Sequence, residues 1–281
     1  MFAGSIRASA VNLERPDACR VDATGRLELS PRLHALVDLV HNCETVADVG
    51  CDHAYLSIAL SQSGRASRVI ACDASTNSLA GARANIERCS SAAAIETRLG
   101  DGLSPLGHGE CDVLTMSGIG LRKMLHILDA DALARLSVPT LVLQPLEPRL
   151  TLCVDLHERL WRTGYGVMRQ TLSRSGGRTY LTLRAERAAP RPVVEEMDGA
   201  ALLLGSRDLW RSYDPILFAD FLQTERRRMA AEADGMRRGL RHSRPPSESA
   251  RETAAAATLR QHERWIEEVD RVWQEVKTSG V

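Results

Sequence analysis

The stretch that decides the fold is Asp48-Val49-Gly50-Cys51-Asp52-His53-Ala54-Tyr55-Leu56, which directly follows the apolar run Thr45-Val46-Ala47. It predicts a short buried strand that ends in a carboxylate, then a glycine turn and a helix from His53. In an open α/β sheet, ligands bind beyond the carboxyl end of such a strand, in front of the helix. The dinucleotide fingerprint G-x-G-x-x-G would also need glycine at positions 52 and 55, where the chain has Asp52 and Tyr55. We therefore expect a ligand site that does not cradle a pyrophosphate.

Outward from this stretch, apolar runs alternate with amphipathic segments from about residue 28 to residue 188. The pattern predicts strands at 46–49, 68–72, 95–99, 113–116 and 141–144, with helices between them and another helix at 152–163. Two further strands, 165–172 and 179–184, flank the turn residues 174–177 and predict an antiparallel hairpin. The fold class is α/β, a mostly parallel doubly wound sheet with an antiparallel edge. This arrangement resembles the Rossmann-like sheet of class I methyltransferases.

The chain divides into three predicted parts. Residues 1–27 are expected to be an irregular N-terminal segment, 28–188 the ligand-binding α/β domain and 189–281 a helical C-terminal domain. Pro190 and Pro192 indicate a linker between the last two parts. Apolar residues recur at helical spacing over 217–240 and again over 259–276, and a Pro/Ser-rich break separates the two runs. They predict two antiparallel helices that form a coiled-coil-like hairpin.

The composition limits the classes of partner. The 281 residues include 36 Lys+Arg and 36 Asp+Glu, so any nucleic acid must be bound by a local basic patch rather than by the global charge. The seven cysteines form no C-x-x-C pair, which favours reduced thiols in a cytoplasmic protein and argues against a metal site. No apolar run is long enough to cross a membrane. The first fifteen residues, with two arginines and one acid, faintly resemble an organellar targeting peptide, and an irregular terminus is the simpler interpretation.

Acids stand at the ends of three successive predicted strands: Asp48, Asp73 and Asp101. Asp48 is placed to order the turn at Gly50 by accepting backbone N–H bonds. Asp73 stands where a carboxylate binds both hydroxyls of a ribose. Asp101 is flanked by glycines, and Gly102 leaves room for an adenine edge. Each acid alone also fits an ordinary turn, but the three together predict a nucleoside-containing cofactor, and carboxylates suit one that carries positive charge.

The turn Ser117-Gly118-Ile119-Gly120 follows the fourth strand, where a substrate would meet the cofactor. Its two glycines let a flat base lie against the backbone, although a simple strand-to-helix turn has the same pattern. His53 is a candidate base or a helix-capping histidine. Tyr55 is placed either to stack on a ligand or to pack against the sheet.

These residues resemble the bacterial tRNA (adenine(22)-N1)-methyltransferase family. The resemblance covers nearly everything after residue 27. Its motifs are Leu29-Ser30-Pro31-Arg32-Leu33, residues 47–56, Gly100-Asp101-Gly102-Leu103, Ser117-Gly118-Ile119-Gly120 and Leu143-Gln144-Pro145.

The resemblance implies an enzyme that uses S-adenosylmethionine to methylate N1 of an adenine in the D-arm region of tRNA, at position 22. It implies no metal, and we expect a monomer. The cofactor would contact Arg32, Asp48, Gly50, Asp73, Ala74, Asp101, Gly102 and Ser117. The catalytic candidates are Asp52, His53, Ser117 and Gly118. Asp52 would stabilise the cationic product, and His53 would orient the base or accept a proton.

Arginines in the first C-terminal helix predict contacts with RNA phosphates. The same residues also fit a solvated helix face, because Glu225, Glu232 and Asp234 are interleaved with them. The predicted RNA-binding residues are Arg226, Arg227, Arg228, Arg237, Arg238 and Arg241.

The chain departs from the family pattern at three positions. Ser57 stands in place of the usual proline, Leu121 in place of a glycine and Leu146 in place of an asparagine. The last two lie on the side of the target base. They leave two alternatives open: a related cofactor-binding protein with an altered substrate or without transfer activity, and a methyltransferase that acts on a small molecule or a protein.

Overall fold

A computed structural model describes residues 19–89, 95–147, 149–187, 204, 209, 213–242 and 249–278. The predicted irregular start up to residue 18, the linker at Pro190 and Pro192 and the break at 243–247 lie outside these residues. Within the described ranges, no helix is long and apolar enough to cross a membrane. The elements in chain order are β1 (Arg20–Val21), β2 (Leu27–Glu28), α1 (Pro31–Leu39), β3 (Cys43–Val49), α2 (Tyr55–Gln62), β4 (Ala66–Asp73), α3 (Thr76–Arg88), β5 (Ile95–Leu99), β6 (Val113–Ile119), α4 (Leu121–Ile127), α5 (Ala130–Leu136), β7 (Thr140–Pro145), α6 (Leu150–Arg162), β8 (Tyr165–Ser175), β9 (Arg178–Arg187), α7 (Pro215–His242) and α8 (Ser249–Thr278).

Seven strands form one sheet in the order β5-β4-β3-β6-β7-β9-β8. The first five in this order are parallel, and β9 pairs antiparallel with both β7 and β8. The order reverses at β3, so β4 and β6 leave β3 on opposite sides and a crevice opens at its carboxyl end. The α/β class, the parallel sheet and the antiparallel edge hairpin are confirmed.

Buried aliphatic side chains alternate between the two faces of the sheet. Val46 and Val69 point to the face covered by α1, α2 and α3. Ala47 and Ile70, one residue further along their strands, point to the face covered by α4, α5 and α6. Because both faces are buried, the parallel strands are apolar along most of their length, which is the pattern that the sequence shows.

The two C-terminal helices pack against each other and on the second face of the sheet. Arg226 of α7 pairs with Asp270 of α8, and Arg237 pairs with Glu263, so the helices run antiparallel, as predicted. Phe218 and other apolar side chains of α7 belong to the same buried cluster as the sheet. The carboxylate of Glu225 accepts a hydrogen bond from the backbone N–H of Leu150, at the first residue of α6, at 3.0 Å. The helical hairpin is therefore joined to the α/β domain by apolar packing and by a cap on α6.

Several elements differ from the sequence predictions. Helix α2 begins at Tyr55 rather than at His53, because Asp52 and Ala54 have left-handed backbones. Strand β6 continues to Ile119, past the predicted turn at Ser117, through an irregularity in its pairing with β7. The β8–β9 turn consists only of two glycines, and the strands are correspondingly longer. The helices α1 and α5 and the pair β1–β2, part of which lies in the segment predicted to be irregular, have no counterpart in the predictions.

Candidate functional site

A cleft of about 320 Å³ opens at the carboxyl ends of β3, β4 and β6. This volume is within the usual range for small-molecule sites. The residues that the sequence proposed for the cofactor and for catalysis all line it: Arg32, Asp48, Gly50, Asp52, His53, Asp73, Ala74, Asp101, Gly102, Ser117 and Gly118. These residues are distant in sequence, and the sheet topology brings them together.

The turn after β3 is held in an uncommon backbone conformation. Gly50, Asp52 and Ala54 have φ of +76°, +48° and +58°. Such values are routine for glycine but strained for Asp52 and Ala54, and strained residues of this kind concentrate at ligand sites. At Gly50 a Cβ atom would also lie 2.8 Å from Cδ1 of Ile119. The turn therefore has no room for a side chain at position 50.

The carboxylate of Asp73 is oriented by two backbone donors. Its Oδ2 accepts the N–H of Asp52 at 3.0 Å, and its Oδ1 accepts the N–H of Ser75 at 2.8 Å. The hydroxyl of Ser75 in turn accepts the N–H of Ser78 and caps α3. Each oxygen of Asp73 retains acceptor capacity toward the cleft. This geometry fits the predicted contact with a ribose.

The contacts of Asp48 differ from the prediction. Its side chain accepts hydrogen bonds from the hydroxyl of Ser57 at 2.6 Å and from that of Thr115 at 3.1 Å, rather than from the glycine turn. The turn donates elsewhere, since the N–H groups of Gly50 and Cys51 bond the carbonyl of Cys72. Asp48 is only 2% exposed, and its burial raises the pKa of the carboxyl, whereas the two hydroxyl donors lower that pKa.

The end of β6 carries the predicted transfer site. Gly118 has φ of +69° and forms an irregularity against β7. A Cβ atom on Gly118 would lie 3.9 Å from Nη1 of Arg32. That guanidinium donates to Oε1 of Gln144 at 3.1 Å and lies over the ring of Tyr180. Arg32 is thus fixed at the β6 end of the cleft, between the predicted cofactor and substrate positions.

Asp52 and His53 are at the open side of the cleft. Their side chains are 69% and 51% exposed, and the nearest nitrogen–oxygen distance between them is 3.8 Å. The carbonyl of His53 accepts a hydrogen bond from the side chain of Asn85. Ala54, and not His53, occupies the N-cap position of α2, which excludes the capping interpretation of His53. An exposed pair at this distance is suited to orienting a bound base more than to holding a fixed proton.

Three lining residues lie outside the motifs and candidates of the sequence analysis: Cys19, Lys123 and Ile127. Lys123 carried a signal, because the chain has only two lysines and this one lies shortly after the Ser117–Gly120 motif. Ile127 lies one helical turn later, and its side chain would be 3.3 Å from a Cβ atom on Gly102. Cys19 carried no signal, since it belongs to a segment that was predicted to be irregular.

The charged side chains that line the cleft are mostly acidic. The lining contains four carboxylates, those of Asp48, Asp52, Asp73 and Asp101. It contains two cations, those of Arg32 and Lys123. Carboxylates favour a ligand with positive charge, and cations favour an anionic group at the same site. No cluster of three or more metal-binding side chains occurs within the described residues.

The predicted RNA-binding arginines do not line the cleft where their side chains are described. They are engaged in pairs along the helical hairpin: Arg226 with Asp270, Arg228 with Glu225, and Arg237 with Asp234 and Glu263. Arg227 donates to Gln223, Arg238 also has a partner, and the side chain of Arg241 lies outside the description. The pairs between α7 and α8 connect the two helices, which agrees with the alternative interpretation of a charged helix face.

Two departures from the family pattern, Leu121 and Leu146, were expected on the side of the target base. Leu121 is 3% exposed and packs in the core beneath α4, so its side chain does not face the cleft. Leu146 is 37% exposed and lies outside the cleft, with its backbone N–H donated to the carbonyl of Ile119 at 3.0 Å. Neither leucine therefore obstructs the cleft.

Comparison with known proteins agrees with this geometry. Residues 29–183 match the family described as Methyltransferase domain. The tRNA (adenine(22)-N(1))-methyltransferase of Bacillus subtilis is 31% identical over 179 residues, which are 64% of this chain and 72% of that protein.

Solved structures share the fold. The M1A22 tRNA methyltransferase of B. subtilis superposes with a TM-score of 0.68 at 23% identity, over 86% of this chain and 100% of that one. A structure from M. capricolum, solved with S-adenosyl-homocysteine, superposes with a TM-score of 0.65 at 19% identity, over 86% and 99% of the two chains. From the sequence match over most of the curated relative, the chain belongs to the tRNA (adenine(22)-N1)-methyltransferase family.

Proposed function

We propose that this protein transfers a methyl group from S-adenosylmethionine to N1 of an adenine in tRNA, at position 22 by family membership. The observation that carries the proposal is the Asp73 carboxylate at the end of β4. Two backbone N–H groups aim it into a cleft that is bounded by glycines and acids. As the substrate is tRNA, we expect the protein to act in the cytoplasm.

The residues of the cleft fit this cofactor. Asp73 would accept hydrogen bonds from the ribose hydroxyls, with Ala74 beside it. Asp101 and Gly102 would bind the adenine, against the side chain of Ile127. The buried carboxylate of Asp48 would face the ammonium of the methionine part, which passes the glycine turn. Arg32 would pair with the carboxylate of the methionine part.

Ser57 provides a test of the role of Asp48. We expect Ser57→Ala to weaken cofactor binding roughly tenfold near neutral pH, because it removes a hydrogen bond to a buried carboxylate. Without this donor the pKa of Asp48 rises further, so Asp48 loses its charge at a higher pH and cofactor affinity falls earlier as the pH is lowered. The measurement is the cofactor Kd by calorimetry from pH 6 to pH 8.

Ser63→Ala is the matched control. The hydroxyl of Ser63 donates to the carbonyl of Leu60 at the other end of the same helix, away from the cleft. A Ser57→Ala profile that coincides with the control at every pH would show that the hydroxyl does not act on the cofactor through Asp48.

Catalysis would depend chiefly on positioning. The cofactor supplies an electrophilic methyl group on a positively charged sulfur. N1 of adenine has its own lone pair, so it needs no strong base, and alignment within the cleft supplies much of the rate. The backbone at Ser117 and Gly118, where no side chain projects from the glycine, would hold the base, and the carboxylate of Asp52 would stabilise the positive charge that develops on it. His53 would orient the base from the open side.

The target base must leave its stack to react. N1 lies on the Watson–Crick edge, so a paired or stacked adenine has to be turned out into the cleft. The side chains of Asp52 and His53 are exposed, which supports the entry of such a base from this side of the cleft. Since Leu121 and Leu146 leave the cleft free, the geometry gives no support to the alternative of a protein without transfer activity.

The deciding experiment is methyl transfer from labelled cofactor to an unmodified tRNA transcript. We expect incorporation into a tRNA with adenine at position 22 and none into the same transcript with guanine there. Equal labelling of both transcripts would disprove the position. Cofactor binding without transfer to any tRNA would favour the alternative of a cofactor-binding protein. Transfer to small molecules or proteins would favour the alternative of a methyltransferase with a different substrate class.

A further inference from the structure

A second groove, of about 250 Å³, adjoins the end of β7. It is lined by Leu146 and by residues of the β8–β9 hairpin and of α7. Arg174 and Arg178 reach it from the hairpin, and Arg228 reaches it from the helix. None of these residues lines the cofactor cleft, so the groove is a separate feature of the surface.

The groove opens on the same edge of the sheet as the cleft. Strand β9 runs antiparallel to β7, and Leu183 pairs with Leu143. Since β9 starts at Arg178, the hairpin extends past the end of β7 by about three residues, or roughly 10 Å. The N–H of Leu146 is bonded to the carbonyl of Ile119, which is the last residue of β6. The groove therefore begins one strand away from the transfer end of the cleft.

The groove is lined by three arginines and by two glutamates, Glu147 and Glu225, so its lining has a net positive charge, which favours an anionic ligand. Arg174 is held by Asp220, and Arg228 is held by Glu225, so both guanidinium groups have defined positions. Glu225 is buried and is engaged by Arg228 and by the N–H of Leu150. Arg178 is exposed, and no carboxylate pairs with it among the described residues. The groove is thus lined by two guanidinium groups that carboxylates hold in place, by the exposed guanidinium of Arg178 and by the partly exposed Leu146.

This combination suits a nucleotide. Guanidinium groups bind phosphate, and an exposed apolar side chain packs against a base. We propose that the groove is a second RNA subsite, which binds the phosphate and base of a nucleotide next to the adenine that enters the cleft. The inference rests on the proposed function, because it assumes that RNA reaches the transfer end of the cleft. In this proposal the principal RNA contact lies at the β8–β9 hairpin and at Leu146. The sequence pattern predicts it instead on the arginines of α7.

The test compares Arg178→Ser with Arg169→Ser. Arg169 is an exposed arginine of β8 that does not line the groove, so the two variants lose the same charge from the same hairpin. We expect Arg178→Ser to raise the Kd for an unmodified tRNA transcript roughly three- to tenfold and to reduce the slope of log Kd against log salt by about one. Arg178→Lys should restore the salt slope and part of the affinity. The Kd for S-adenosylmethionine should not change in any variant.

The outcomes separate this inference from the proposed function. If the wild-type protein methylates tRNA but Arg178→Ser binds tRNA as Arg169→Ser does, the groove is not an RNA subsite and the proposed function stands. If the wild-type protein methylates no tRNA at position 22, the proposed function itself fails. A rise in the cofactor Kd of Arg178→Ser would also overturn the inference, because the effect would then come from a disturbed fold.

Discussion

Replacing Gly50 with alanine is expected to lower the affinity for S-adenosylmethionine at least tenfold. Two effects combine at this position. The residue has φ of +76°, and a left-handed backbone costs a residue with a Cβ atom about 1–2 kcal/mol. The new Cβ atom would also lie 2.8 Å from Cδ1 of Ile119, so the side chain of Ile119 must shift. Gly50 and Ile119 both line the cleft, and calorimetric titration of the folded variant measures the loss.

Gly64→Ala separates the two effects. Gly64 has φ of +69°, and a Cβ atom there would meet nothing within 4 Å. We expect this variant to lose stability by the backbone cost alone, seen as a lower Tm, and to bind the cofactor normally. If Gly50→Ala bound the cofactor as well as Gly64→Ala does, the close approach at Gly50 would have no role in binding.

Asp73→Ala is expected to lower cofactor affinity about 100-fold, the second large effect. The variant would lose the hydrogen bonds between the carboxylate and both ribose hydroxyls, and a hydrogen bond to a charged acceptor contributes about 1.5–3 kcal/mol. The N–H groups of Asp52 and Ser75, which the carboxylate accepts at 3.0 and 2.8 Å, would also lose their acceptor. The measurement is the cofactor Kd, with adenosine as a second ligand that has the adenine and the ribose but lacks the methionine part.

Asp129→Ala is the control for the lost backbone bonds. Asp129 also accepts two backbone N–H groups, at the N-terminus of α5, but it does not line the cleft. This variant should lose about 1 kcal/mol of stability and no cofactor affinity. If Asp73→Ala weakened S-adenosylmethionine and left adenosine binding unchanged, the assignment of Asp73 to the ribose would be wrong.

The sequence was sufficient for the parts of the site that depend on local patterns. Asp73 and Asp101 could be placed because acids directly after buried strands meet at one edge of a parallel sheet. Gly50 and Gly102 could be placed because each follows the end of a predicted strand at the same edge of the sheet. The hairpin followed from the two glycines between apolar runs, although its strands proved longer than predicted.

Contacts between residues that are distant in sequence were not accessible. Arg226 and Arg237 suggested RNA contacts because their partners on the next helix, Asp270 and Glu263, lie 44 and 26 residues away. The hydroxyl donors of Asp48 were missed for a related reason. Thr115 becomes its neighbour only when β6 pairs with β3. Ser57 was seen as a departure from a family pattern, whereas in the folded protein it donates to a buried carboxylate.

The bond from Leu150 to Glu225 has a consequence for how this protein can be divided. The sequence predicts a ligand-binding domain at 28–188 and a separate helical domain at 189–281, whose described part is the helical hairpin, here called the arm. Removing the arm would leave the first turn of α6 without its acceptor and would expose the sheet face that Phe218 and Phe221 cover. Each such aromatic side chain contributes about 1.5–3 kcal/mol through its burial. A truncated chain would therefore test folding rather than RNA recognition, and a transplanted hairpin would carry the buried Glu225 away from the N–H of Leu150.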